Sequence, residues 1–135
     1  MGLDMFLYGV EYHSEYDEED EAFGKKSYYT LTEVIYWRKA NQIHNWFVNN
    51  VQNGIDNCAM YYVSEIDLIE LKEICEKVLE DKSLASLLLP TQSGFFFGST
   101  DYDEFYFEDL KYTVEAIDRI LNEKRYDWYK YMSSW

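Results

Sequence analysis

From Phe107 to Leu121 the apolar residues Phe107, Leu110, Val114, Ile117 and Leu121 recur at alternating steps of three and four. A strand would scatter them over both of its faces, whereas a helix of 3.6 residues per turn gathers them into one stripe. The chain must therefore contain an amphipathic helix over about 103–124. Such a stripe is stable only when another element covers it. The carboxylates of Asp101, Asp103 and Glu104 stand at its start, where they complement the positive end of the helix dipole.

Two further helices are predicted. Ser64, with Asp67 three residues on, forms an N-terminal capping pattern, and Leu68, Leu71, Cys75, Val78 and Leu79 then repeat at helical spacing, which places a helix over 64–80. Thr32 can cap another helix running to 52, because Tyr36, Ala40, Ile43, Phe47 and Val51 share one side of a helical wheel; Asn53-Gly54 ends it. Residues 83–89 make a short apolar turn or helix that stops before Pro90.

Between these segments lie four stretches with strand character. Residues 3–12 mix alternation with β-forming residues, with Gly9 as a candidate bulge; 27–31, 58–63 and the Phe-rich 94–98 are shorter. The Glu15 to Glu21 block repels itself and reads as a solvated loop. The tail after Arg125 carries Tyr126, Trp128, Tyr129, Tyr131 and Trp135, too aromatic to stay in water. The expected fold is a single α+β domain over residues 1–135, with about three main helices packed on a small, mostly antiparallel sheet.

A chain that is 47% hydrophobic and 19% aromatic has too much large apolar surface to remain disordered. The aromatic count also exceeds what a small core requires, so part of it belongs at a binding surface, and a homo-oligomer stays open. A net charge of −14 repels phosphate backbones and anionic headgroups, which argues against direct binding to nucleic acid or membrane. The opening residues lack a basic stretch and an apolar run of signal-peptide length, and no run approaches the length of a transmembrane span. Cys58 and Cys75 have no metal or disulfide spacing. A cytoplasmic protein is expected, with no metal and no cofactor.

Two segments carry candidate binding chemistry. Trp37, Asn41 and His44 fall on one flank of the predicted 32–52 helix, with Arg38 further round. Together they offer an aromatic plate, an amide, an imidazole and a guanidinium to a planar or phosphorylated ligand. Gln92-Ser93-Gly94 and Gly98-Ser99-Thr100 surround the Phe strand, where glycines let backbone N–H groups approach an anion and hydroxyls add donors, although the spacing matches no phosphate-binding fingerprint. The predicted ligand-binding residues are Trp37, Arg38, Asn41, His44, Gln92, Ser93, Ser99 and Thr100. No nucleophile and base stand in a known arrangement, so no catalytic residue is assigned, and the chain reads as a binding protein before it reads as an enzyme.

The blocks Met1-Gly2-Leu3-Asp4-Met5, Tyr36-Trp37-Arg38-Lys39-Ala40-Asn41 with Ile43-His44 and Trp46-Phe47, and Leu89 to Ser99 resemble a family of small proteins from bacteriophages, prophages and bacteria. The resemblance implies a setting and no mechanism: a phage accessory protein acting in the bacterial host cell. Such a setting suits a protein that counters host defence by sequestering a small nucleotide-like ligand. The alternative is an acidic mimic of nucleic acid that occupies a basic host protein through Glu18, Glu19, Asp20, Glu21, Asp101 and Asp103. A nucleotide-processing enzyme stands third.

Overall fold

Residues 2–16, 25–94 and 96–135 are described by the structure, a computed structural model. Among the described residues four antiparallel strands form one sheet: β1 (Asp4–Tyr16), β2 (Lys25–Arg38), β3 (Tyr61–Val63) and β4 (Trp128–Ser134), in the spatial order β2-β1-β4-β3. The helices are α1 (Asn41–Asn50), α2 (Glu65–Glu80), the short α3 (Ala85–Leu88), preceded by a 3-10 turn at Lys82–Leu84, and α4 (Glu104–Glu123). This is the α+β fold that the patterning predicts.

β1 and β2 form a long hairpin whose period-two alternation divides the sheet. Met5 and Leu7 on β1, Ile35 and Trp37 on β2, Tyr129 and Tyr131 on β4, and Val63 on β3 are buried with Ile43 and Phe47 of α1, Leu68, Leu71, Cys75 and Val78 of α2, and Leu110 and Ile117 of α4. One core thus fills the space between the sheet and the helices. Phe47 stacks on Tyr131 with ring centroids 3.9 Å apart.

The 32–52 segment departs from the expected helix. Residues up to Arg38 belong to β2, and the helix begins only at Asn41. Positions 36, 40, 43, 47 and 51 suit a helical wheel, but the β-branched Thr30, Thr32, Val34 and Ile35 also suit a strand, and pairing with β1 decides between the two. Tyr36, placed in the predicted helical stripe, instead points away from the core and is exposed. Lys39 then turns the chain with a left-handed backbone (φ 56°), and its N–H donates to Leu3 O.

Two smaller differences follow from the same hairpin. The irregularity expected at Gly9 falls between Leu7 and Tyr8, where Val34 is the extra residue on β2. The lack of a side chain at Gly9 serves another purpose, because the Tyr126 ring lies where a Cβ would stand. β1 also extends past residue 12 to Tyr16, into the start of the acidic block; the rest of that block, with Glu18, Glu19, Asp20 and Glu21, lies outside the described residues.

Of the expected 94–98 strand, Phe95 lies outside the described residues, and Gly94 and residues 96–98 do not form a strand. Phe96 (φ 56°) and Gly98 (φ 90°) take left-handed conformations that a strand cannot contain, and Phe97 N donates to Gly94 O in a turn. The aromatic tail supplies β4 instead, with Tyr129 and Tyr131 facing the core and Trp128, Lys130 and Met132 facing out. The 64–80 and 103–124 helices stand as predicted. Ser64 and Asp67 complete a capping box on α2, and Asp103 caps α4 by accepting from Tyr106 N at 3.1 Å.

Candidate functional site

Where β2 ends, Arg38 and Lys39 face the first half of α4 across a cleft of about 300 Å³. One wall comes from Arg38, Lys39 and Gln42, the other from Asp103, Phe105, Tyr106 and Asp109 of α4, and Thr91, Gly98, Ser99 and Asp101 close the end. The left-handed turn at Lys39 is what sends the chain from strand to helix here and brings two cations to one rim. Arg38 is fixed by Asp4, whose carboxylate lies 2.9 Å from Nη1 and also accepts from the Tyr36 hydroxyl.

Gln42 and Asp109 form the deep end. The buried Gln42 amide donates to Tyr106 O at 3.2 Å and, more weakly, to the Asp109 carboxylate at 3.4 Å. Burial pushes the Asp109 carboxyl up to about 6, against the opposing pull of the Gln42 hydrogen bond. It is therefore mostly ionised at neutral pH and gains a proton under mildly acidic conditions. The exposed ring of Phe105 adds an apolar plate at the edge. Cations on one side and carboxyls on the other suit a ligand that carries both an anion and N–H donors.

The predicted site residues are divided among three places. Arg38 and Ser99 line the cleft. His44 and Gln92 share a different depression of about 210 Å³ with Asn45, Asn49 and Asp56. Trp37 and Asn41 are buried and engaged by the protein itself: Trp37 Nε1 donates to Thr113 at 2.9 Å, and Asn41 Nδ2 donates to Phe97 O and Ser99 O while its Oδ1 accepts from Gln92 N. Asn41 thereby holds both ends of the 92–99 loop against α1. Ser93 and Thr100 are exposed, and their carbonyls accept from Gln92 Nε2 and the Thr91 hydroxyl.

His44 has no exposed surface. Desolvation lowers its pKa despite the nearby Asp56 carboxylate, so the ring is neutral. Asp56 can only accept from Nε2, at 2.9 Å, which leaves Nδ1 to accept from the Tyr131 hydroxyl at 2.6 Å. Trp135 Nε1 also reaches Asp56, at 3.2 Å.

Sequence reasoning passed over Lys39, Gln42, Phe105 and Asp109. The signal for Asp109 lay in its spacing: it falls three residues after Tyr106 and four before Thr113, both buried, which makes it a carboxylate on the inward side of a helix. Asp101 and Asp103, assigned to the acidic alternative, also line the cleft. Cys58 is exposed, while Cys75 is a core residue whose thiol burial pushes up to about 12. Among the described residues no cluster of three or more His, Cys, Asp or Glu side chains is placed to hold a metal ion, and no helix is long and apolar enough to cross a membrane.

No protein-family model, no curated protein and no solved structure matches the chain. Its functional reading rests on this geometry.

Proposed function

We propose that the protein binds a small nucleotide-like ligand in the cleft between Arg38–Lys39 and Asp109 and holds it without turning it over. The observation that carries this reading is the division of charge across one cavity, with Arg38 and Lys39 on the rim where β2 ends and Asp101, Asp103 and the partly desolvated Asp109 carboxyl on the side of α4. A ligand phosphate pairs with Arg38 and Lys39. A heterocycle lies against Phe105, and its N–H edge donates to Asp109. In the phage setting that the sequence blocks imply, holding such a molecule withdraws a nucleotide signal from the host.

Calorimetric titration of cyclic and linear nucleotides tests the proposal. Wild type binds at least one of them, and Asp109→Asn and the double variant Arg38→Ala/Lys39→Ala each weaken that binding by about 1–3 kcal/mol while the fold is retained. Affinity also declines as pH falls through about 6, where Asp109 loses its charge. Absence of binding by every nucleotide, or equal binding by all three proteins, refutes the assignment.

A second reading has its own observation. α2 and α4 each carry six carboxylates against two cations, so the helical layer is strongly acidic. A basic host protein docking there would form a complex that added salt weakens steeply and that nucleotides do not displace.

A further inference from the structure

The hairpin alternation leaves the second face of the sheet without a described covering element. β1 presents Asp4, Phe6, Tyr8, Val10 and Tyr12 there; β2 presents Arg38, Tyr36, Glu33, Leu31 and Tyr29; β4 adds Ser134, Met132, Lys130 and Trp128; and β3 adds Tyr62. Tyr29, Leu31, Tyr36 and Tyr62 are exposed, and Tyr62 is 61% accessible. A broad apolar hollow of about 680 Å³ opens among Val10, Tyr29, Leu31, Tyr62, Trp128 and Lys130. From Asp4 to Tyr12 the face runs about 27 Å along the strands. Patches of this extent on soluble domains mark interaction sites.

We infer that this face is the interface of a two-fold dimer of the chain, with the two sheets packed face to face and the helices outside. Charge distribution selects a second copy over a basic partner. The helical layer holds twelve carboxylates in α2 and α4 against four cations. The open sheet face balances Glu33 with Lys130, and at its cleft end Asp4 is paired with Arg38. A basic protein is drawn to the helices, whereas two copies meeting through their sheets turn their acidic layers away from each other, beyond the screening length of about 8 Å at physiological salt.

The register makes the face self-complementary. Tyr8 pairs with Glu33 on one side and Lys130 on the other, Val10 with Leu31 and Trp128, and Phe6 with Tyr36 and Met132. A two-fold axis lying in the interface along β1 exchanges the β2 and β4 sides. Glu33 then faces Lys130 of the second copy, Leu31 faces its Trp128, and Tyr36 faces its Met132, as an isologous contact requires. At the outer edge of β2 the carbonyls of Tyr36 and Val34 are already taken, because the Tyr112 hydroxyl donates to Tyr36 O at 2.7 Å and Arg119 Nη2 to Val34 O at 3.0 Å, which disfavours edge-to-edge pairing there.

Sedimentation equilibrium on the full chain tests the inference by charge reversal. Wild type sediments as a dimer of the 16.3 kDa chain. Glu33→Lys sets two lysines against each other, and Lys130→Glu sets two carboxylates; each weakens the dimer by about tenfold or more. The double swap Glu33→Lys/Lys130→Glu restores it, which a merely unfolded or generally perturbed variant cannot do. Circular dichroism confirms that all four proteins are folded. A monomeric wild type overturns the inference, as does a dimer indifferent to the single reversals. Binding of a lysine-rich peptide to a monomeric wild type, lost in Tyr62→Ser, would assign the face to another partner and overturn it equally.

Discussion

The Tyr131 hydroxyl donates to His44 Nδ1 across 2.6 Å inside the core, and this bond joins the last strand to the first helix. Both groups are fully buried, so neither can exchange its partner for water. Tyr131→Phe leaves Nδ1 without a donor, and we expect a loss of about 1–3 kcal/mol in unfolding free energy, measured by urea denaturation. An unchanged midpoint would mean that the bond contributes nothing.

The same histidine sets a pH dependence. Its folded pKa lies below the ordinary value of 6.5, so the unfolded chain takes up the proton more readily. The stability contributed by neutral His44 is complete above about 6.5 and is lost as pH falls from there through the lower folded value. Asp109 acts in the opposite direction: its pKa rises from 3.8 to about 6, so the folded state binds the proton more readily and gains stability as pH falls through that interval. Removing Asp109 with Asp109→Asn therefore steepens the acid-side decline in melting temperature, and His44→Gln flattens it. Parallel melting curves for wild type and both variants over pH 4 to 7 would contradict the two opposed shifts.

Asn41 governs the loop beside the cleft. Its side chain supplies two donors and one acceptor to the backbone of residues 92–99. Asn41→Ala frees those groups at a cost of about 1–3 kcal/mol, and amide hydrogen exchange should rise across 92–99 more than in α2. Uniform exchange changes across the whole chain would show that the loop is held by other contacts.

Close approach of the chain to itself is tested at Gly9. Its backbone lies against the Tyr126 ring, and an added methyl overlaps the ring's inner carbons, so the side chain cannot escape by moving its tip. Gly9→Ala should cost about 1–3 kcal/mol. Tyr126→Ala in the same chain should relieve most of that added cost, a coupling that a double-mutant cycle measures. Additive effects would place the strain elsewhere.

The α4 stripe offers a graded series. Ile117 is fully buried, whereas Val114 sits at the margin of the core. Ile117→Ala should lose about 2–5 kcal/mol and Val114→Ala distinctly less. Equal losses would mean that α4 packs with a different rotation.

Helices α2 and α4 were legible in the sequence because their information is local: a capping residue at Ser64 or carboxylates at the start of 103–124, then apolar residues at steps of three and four. The α+β class followed from adding the apolar alternation of β1. Of the cleft, Arg38 was legible as a guanidinium beside the flank of the predicted 32–52 helix and Ser99 as a hydroxyl next to a glycine. Lys39, Gln42 and Asp109 were not, because each becomes a wall only when β2 stops at Arg38 and α1 crosses beside α4.

By itself the sequence determined that this chain folds around one core, which segments can be amphipathic helices, and that its surface is acidic, since those properties depend on composition and on neighbours within a few residues. Tertiary structure alone decided that residues 32–38 are strand, that 96–98 are a loop pinned by Asn41, and that the tail enters the sheet beside β1. In each case the local pattern admits two backbones, and the choice falls to hydrogen bonds and side-chain burial with partners far along the chain, such as Trp37 with Thr113 and Met5 with Ser133.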